Sequence, residues 1–213
     1  MSAERPLRIL CVSAHPDDLE IMAGGAVAKW VDEGHQVHVL NLTNGSWKSP
    51  DGRVQRKARD AAREARAAAA YLGYTVEHLG IPAMQLSFQD SLVREVLQRI
   101  ETRGCDLLVC PWERDLHHDH EVASRIAISA SRRVPRVLMG QLNHHLRDVF
   151  TPNVFVDISQ TWPRKLEGLK RYTSEWERTG QDWYGFLDET TRYYGRLVGV
   201  ERAEGFLSTK LLY

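Results

Sequence analysis

The stretch Leu7-Arg8-Ile9-Leu10-Cys11-Val12-Ser13-Ala14-His15-Pro16-Asp17-Asp18-Leu19-Glu20 decides the fold. Its first half is apolar at consecutive rather than alternate positions, which predicts a strand buried on both faces, the kind found in parallel sheets. From Asp18 to Glu33 the pattern predicts a helix, with Ile21, Ala28 and Val31 inward and Gly34 as its stop. Gly24-Gly25 inside that helix predicts a close approach of the backbone to the sheet or to a ligand. Ligands of open α/β sheets bind just outside the carboxyl ends of strands. A helix start there presents unpaired N–H groups and positive dipole character. One histidine and two carboxylates therefore stand where a buried strand hands over to a helix.

Working outward, Val37 to Leu42 reads as a second strand. Residues 43–53 read as a loop with the turn signals Asn44-Gly45 and Pro50-Asp51-Gly52. An alanine-rich helix follows from Val54 to Leu72 and closes at Gly73. Thr75 to Ile81 reads as a strand, Asp90 to Thr102 as a helix, Asp106 to Cys110 as a strand and Glu121 to Ser131 as a helix. Val137 to Asn143 and Val154 to Ile158 read as further strands, and Pro163 opens a helix to about Tyr172. The remainder, from Ser174 on, is rich in aromatic residues and arginine and gives no clear assignment. The alternation predicts an α/β, Rossmann-like domain over residues 1–213. Its sheet is mostly parallel with helices on both faces, in the order 3-2-1-4-5 plus C-terminal additions.

Composition narrows the function. The chain has 213 residues, 43% hydrophobic and 26% charged, with zero formal net charge, and so lacks the basic balance of a nucleic-acid binder. The most basic stretch, Arg53 to Arg66, is interrupted by Asp60 and Glu64 and reads as a solvated helix face. Cys11, Cys105 and Cys110 are odd in number, form no C-x-x-C and sit in or beside apolar runs, which predicts buried thiols rather than a disulfide frame. Met1 to Pro6 is too short and polar for a signal peptide, and no apolar run approaches the ~18 residues of a membrane span. A cytoplasmic location is expected.

A second polar cluster, Asp115-Leu116-His117-His118-Asp119-His120, also follows a buried strand and precedes a helix. In the 3-2-1-4-5 order, strands one and four are neighbours and the crossover direction reverses between them. Both clusters would then line one crevice. A single H-x-D is more often a capped helix start, but two clusters at adjacent strand ends are hard to explain as capping. Two histidines and one carboxylate with an open position form a known catalytic zinc arrangement. Such an ion lowers the pKa of bound water to about 7 and polarises a carbonyl. A remaining carboxylate can act as general base, and a remaining histidine can stabilise an oxyanion or protonate a leaving amine.

Ala14-His15-Pro16-Asp17-Asp18-Leu19-Glu20, taken with Asp115-x-His117-x-Asp119-His120, resembles the LmbE-like, or PIG-L, family of zinc-dependent N-deacetylases. Gly24-Gly25, Leu42-Thr43-Asn44-Gly45, Glu64 with Ala68, Ala69, Leu72 and Gly73, Val156-Asp157-Ile158-Ser159 and Ala203-Glu204-Gly205-Phe206 resemble further landmarks of it. The resemblance implies His15, Asp18 and His120 as metal ligands and Asp17 as general base. It implies His117 as oxyanion stabiliser or acid, and Asp119 as the group that orients His117. The implied substrate is a small N-acetylglucosamine-type amino sugar or glycoside, which would yield acetate and a free amine. The implied cofactor is Zn2+; Fe2+ suits the same donors. Lys165 to Glu175 and Arg192 to Phe206 are similar to the sugar deacetylases of bacillithiol-type thiol biosynthesis. Neither a nucleic acid nor a membrane is implied as partner, and self-association into a homo-oligomer is compatible with the sequence.

Departures from the family pattern mark the substrate side. His118 stands where proline is usual, Ala61 where an arginine precedes Glu64, Glu175 where glutamine is usual, and Ala83 where an aspartate often follows Pro82. Candidate substrate contacts are Asn44, Trp47, Arg53, Arg56 and His118, with Arg53, Arg56 or Arg59 supplying the displaced arginine. His144 and His145 are expected in a loop or strand end, and Trp112 in the core or against a sugar ring. Three other functions compete: removal of a formyl or other acyl group, phosphoester hydrolysis with two metals, and metal or sugar binding without turnover.

Overall fold

The computed structural model describes residues 5–143 and 146–212, so His144 and His145 lie outside the described residues. In chain order its elements are β1 Arg8–Ser13, α1 Asp18–Asp32, β2 Gln36–Thr43, β3 Trp47–Lys48, β4 Val54–Arg56, α2 Ala58–Leu72, β5 Thr75–Ile81, α3 Asp90–Arg103, β6 Leu107–Pro111, α4 His118–Ala130, β7 Arg136–Gly140, β8 Val154–Asp157, α5 Trp162–Leu169, α6 Thr173–Val198 and β9 Ala203–Leu211. The main sheet runs β5-β2-β1-β6-β7-β9-β8. Its first five strands are parallel and reproduce the expected 3-2-1-4-5 order. β9 and β8 are the C-terminal additions: β9 is antiparallel to β7, and β8 is antiparallel to β9.

The period of two along β1 divides the core between the sheet faces. Ile9 and Cys11 pack with α1 residues such as Ala23 and Val27, and with Leu169 of α5. Leu10 and Val12 pack against Val96 and Ile100 of α3 and Ala123 and Ile126 of α4. Cys11, Cys105 and Cys110 are buried free thiols within these layers. Trp112 is also core, edge-to-face with Phe150 at 5.1 Å, which removes it from the sugar-binding candidates.

Two sequence-based boundaries shift. Val54 to Arg56 is not the start of the second helix but an antiparallel strand on Trp47–Lys48, because the turn at Pro50–Gly52 folds the chain back on itself. The helix after the second motif begins at His118, not Glu121, so His120 lies in its first turn. The unassigned tail forms α6, 26 residues long and stopped by Gly199 at φ 79°, followed by β9. Among the described residues no helix is long and apolar enough to cross a membrane.

The glycine pair in α1 has a structural purpose. A Cβ on Gly25 would lie 2.8 Å from Ile158, so glycine lets the helix backbone press on the β8–α5 turn. There Glu204 of β9 accepts the Gly25 and Ala26 N–H groups at 3.0 and 2.7 Å. Lys165 of α5 donates to the Ile21 carbonyl at 2.7 Å and to Glu204 at 2.5 Å. An ion pair 1% and 3% exposed is thus threaded into the main chain of α1.

Candidate metal centre and active-site crevice

β1 and β6 are hydrogen-bonded neighbours, while the chain leaves them in opposite directions across the sheet, to β2 and to β7. The crevice this opens at their carboxyl ends receives both polar clusters. The β1–α1 turn is closed by Asp18 Oδ2, which accepts the His15 N–H at 2.7 Å. Asp17 caps α1 at φ 116°, a left-handed conformation that costs a non-glycine residue about 1–3 kcal/mol and is tolerated where the surroundings over-determine it. Gly45 lets the next loop approach: a Cβ there would lie 2.9 Å from Pro16.

Three imidazoles meet at this point. The ring centroids of His15 and His120 are 5.2 Å apart, and His117 stacks on His120 at 4.4 Å. One ring nitrogen from each of His15, His117 and His120 can be chosen so that all lie within 4.8 Å of one another. The Asp18 carboxylate bridges the outer pair, 3.6 Å from His15 Nδ1 and 3.3 Å from His120 Nε2. The far nitrogens face further carboxylates. His15 Nε2 donates to Asp119 Oδ2 at 2.9 Å, and His120 Nδ1 lies 3.1 Å from Asp115 Oδ2, close but off the line of a good hydrogen bond. Imidazoles backed by carboxylates around a shared inner carboxylate form a donor set that fits a divalent cation.

Electrostatics agree. Burial opposes ionisation of Asp18, yet the facing His120 and His15 outweigh it and hold its carboxyl well below the usual carboxylate range. Burial likewise opposes charge on His15 and His120, but the Asp18 carboxylate, helped by Asp119 and Asp115, raises them to about 10 and about 9. A divalent ion takes the place of such protons when it binds. His117 goes the other way: burial and the neighbouring His120 and His15 push it down to about 4. Its Nδ1 accepts the Asp119 N–H at 3.2 Å, which leaves the proton of the neutral ring on Nε2. Asp17 is raised to about 7, first by burial, with Asp18 and Glu175 adding to it and Arg56 opposing.

Asp119 therefore departs from its expected role. Its carboxylate orients His15 and accepts the Met84 N–H at 2.6 Å, and only its backbone N–H touches His117. Asp115, 1% exposed, was missed as a site residue: it accepts from the His117 N–H and from Asn143 and stands behind His120. Its signal was its place at the head of the second motif.

A cavity of ≈ 590 Å³ opens over the cluster, lined by His15, Asp17, His117 and His120 and walled by Trp47, Met84, Glu175, Arg178 and Trp183. Of the expected substrate contacts, Trp47 and Arg56 line it. Asn44 does not: its side chain is tied to Gly80 O and Ser46 N in a local turn. Arg53 is exposed and paired with Asp51, because the β3–β4 hairpin turns it outward. His118 is occupied on the Leu86 carbonyl at 2.9 Å, because it begins α4 on the side away from the cavity. A second cavity of ≈ 540 Å³, among Arg8, His38 and Thr75 at the amino-terminal ends of β1, β2 and β5, holds none of the motif residues.

The family model PIG-L, described as GlcNAc-PI de-N-acetylase, matches residues 10–131. The chain is 30% identical to the diacetylchitobiose deacetylase of Thermococcus kodakarensis, over 93% of this chain and 81% of the relative. It is 27% identical to the 4-oxalmesaconate hydratase of Pseudomonas putida, over 76% of this chain and 71% of the relative. Among solved structures, a conserved protein of Thermus thermophilus superposes with a TM-score of 0.82 at 27% identity, covering 97% of each chain.

Proposed function

The chain belongs to the PIG-L family, and from that premise we propose that it hydrolyses the N-acetyl group of an N-acetylglucosamine-type amino sugar or glycoside, releasing acetate and a free amine. The T. kodakarensis relative, by its name, deacetylates a small amino sugar, and the neutral composition with a cavity of ≈ 590 Å³ suits a substrate of that size. One domain over residues 1–213, located in the cytoplasm, is part of the same reading.

His15, Asp18 and His120 would hold a divalent ion, zinc or ferrous iron, which when bound polarises the amide carbonyl and makes water a stronger acid. Asp17, near neutral in acidity and facing the cavity, takes the proton of the attacking water. His117 offers Nε2–H to the oxygen that gains charge as the carbonyl becomes tetrahedral. The proton held by Asp17 is then returned to the departing amine. Asp119 and Asp115 keep His15 and His120 in one orientation, as carboxylates behind ligating histidines do.

The observation that carries the reading is the meeting of His15 and His120 around Asp18, from turns 105 residues apart in sequence. The test is to incubate zinc-loaded protein with a panel of N-acyl glucosaminides and detect acetate and freed amine. Acetate release is expected. Formate from N-formyl sugars alone would reassign the acyl group. Sugar binding without turnover would make the protein a binding module.

A further inference from the structure

Asp17 is tied, through Arg56, to a residue outside the lining of the substrate cavity, Glu64. Its carboxylate is buried in a left-handed cap, with the like charges of Asp18 and Glu175 around it. Left alone, such a carboxylate would turn away from these like charges. The cation in contact with it is Arg56 of β4, whose Nη1 donates to Asp17 Oδ2 at 3.2 Å. The other arm, Nη2, donates to Glu64 Oε2 at 2.9 Å. Arg56 is 5% exposed and lies over the Tyr172 ring at 5.8 Å, so it is not free to swing.

Glu64 is the fixed end of this chain. It accepts the Ser174 N–H at 3.0 Å, the Ser174 hydroxyl at 2.8 Å and the Thr173 hydroxyl at 3.0 Å, all from the first turn of α6. It stands on α2 and lines a separate cavity of ≈ 370 Å³ rather than the substrate cavity. The planar guanidinium is suited to this use: its donors sit in a rigid fork, so fixing one arm fixes the other.

We propose that Glu64 is a positioning residue for the reaction: anchored by the start of α6, it fixes Arg56, and through Arg56 it sets where the Asp17 carboxylate points. The proposal rests on Asp17 acting as the base of the proposed hydrolysis.

Two measurements test it. The first is independent of turnover: unfolding midpoints of Asp17→Asn, Glu64→Gln and the double variant, each with Arg56 present and in an Arg56→Met background. Among the described residues no hydrogen bond or ion pair joins Asp17 to Glu64 directly. The two shifts should be non-additive with Arg56 and additive without it; additivity in both backgrounds overturns the proposal. The second is kinetic. Glu64→Gln should lower kcat about tenfold with KM within about twofold, since a correctly bound substrate meets a misaligned base. Arg56→Lys should restore part of the kcat lost in Arg56→Met. A raised KM with unchanged kcat, or loss of bound zinc in Glu64→Gln, overturns the proposal. If the wild type releases no acetate from any sugar of the panel, the deacetylase reading falls, and the midpoints alone decide the Arg56 bridge.

Discussion

α1 carries two buried ionic networks, one at its start and one at its middle, and they are built to opposite rules. At the middle, Lys165 and Glu204 are closed on each other and on the main chain: Glu204 Oε1 and Oε2, the Gly25 and Ala26 N–H groups and the Ile21 carbonyl all have partners. At the start, Asp17 sits at φ 116°, Asp119 Oδ1 and Arg56 Nε are buried without a hydrogen bond, and one ring nitrogen from each of His15, His117 and His120 lies within 4.8 Å of the others. A fully satisfied network rigidifies; an under-satisfied one is costly unless something completes it. The contrast separates a helix middle whose charges are paired within the chain from a start whose His15, Asp17 and Asp18 line the cavity.

Stripping metal should separate the two ends most sharply. Chelation should reduce acetate release to background and leave the far-ultraviolet circular dichroism intact, with stoichiometric zinc restoring turnover. Unfolding on chelation would erase the distinction. The converse experiment removes the middle. Lys165→Met leaves Glu204 buried and unpaired, which costs about 3–5 kcal/mol in denaturant unfolding. Adding Glu204→Gln should recover part of the loss, and a single-variant loss below about 1 kcal/mol would contradict the buried pair. Gly25→Ala tests how closely the helix is pressed there: the Ile158 contact at 2.8 Å predicts a loss of about 1–3 kcal/mol from overpacking, read from the same curves.

The smallest effect sets the scale from outside the helix. The Arg5 side chain and the Arg8 N–H hold the Asp106 carboxyl down to about 2 against burial. That contribution is present above the ordinary carboxylate pKa, about 4, and is lost as pH falls through about 2. Asp106→Asn should lower stability near neutrality without changing its slope there, and flatten the acid limb of the stability profile between those values.

The sheet was legible because its strands are apolar at consecutive positions, as Leu10 to Val12 and Leu107 to Cys110 are, and because the order 3-2-1-4-5 brings His15 and His120 together. Less was legible where contacts are short or made by side chains. β4 is three residues long inside a charged stretch, too short for a period, so Val54 to Arg56 read as helix and the pairing of Arg56 with Asp17 was hidden. The tail carried a readable signal: Trp176, Gly180, Trp183, Leu187, Thr191 and Tyr194 recur every three or four residues, but polar and glycine positions on that stripe mask it. That Asp119 serves His15 rather than His117 depends on rotamers, which spacing does not fix.

The most direct test of the centre is to load Asp17→Asn with zinc and measure metal content and acetate release on the same sample. One zinc per chain is expected for this variant and for the unaltered protein alike, with turnover in the variant lowered by at least about a thousandfold. Loss of zinc from this variant would contradict these roles, because Asp17 would then hold the ion rather than the proton.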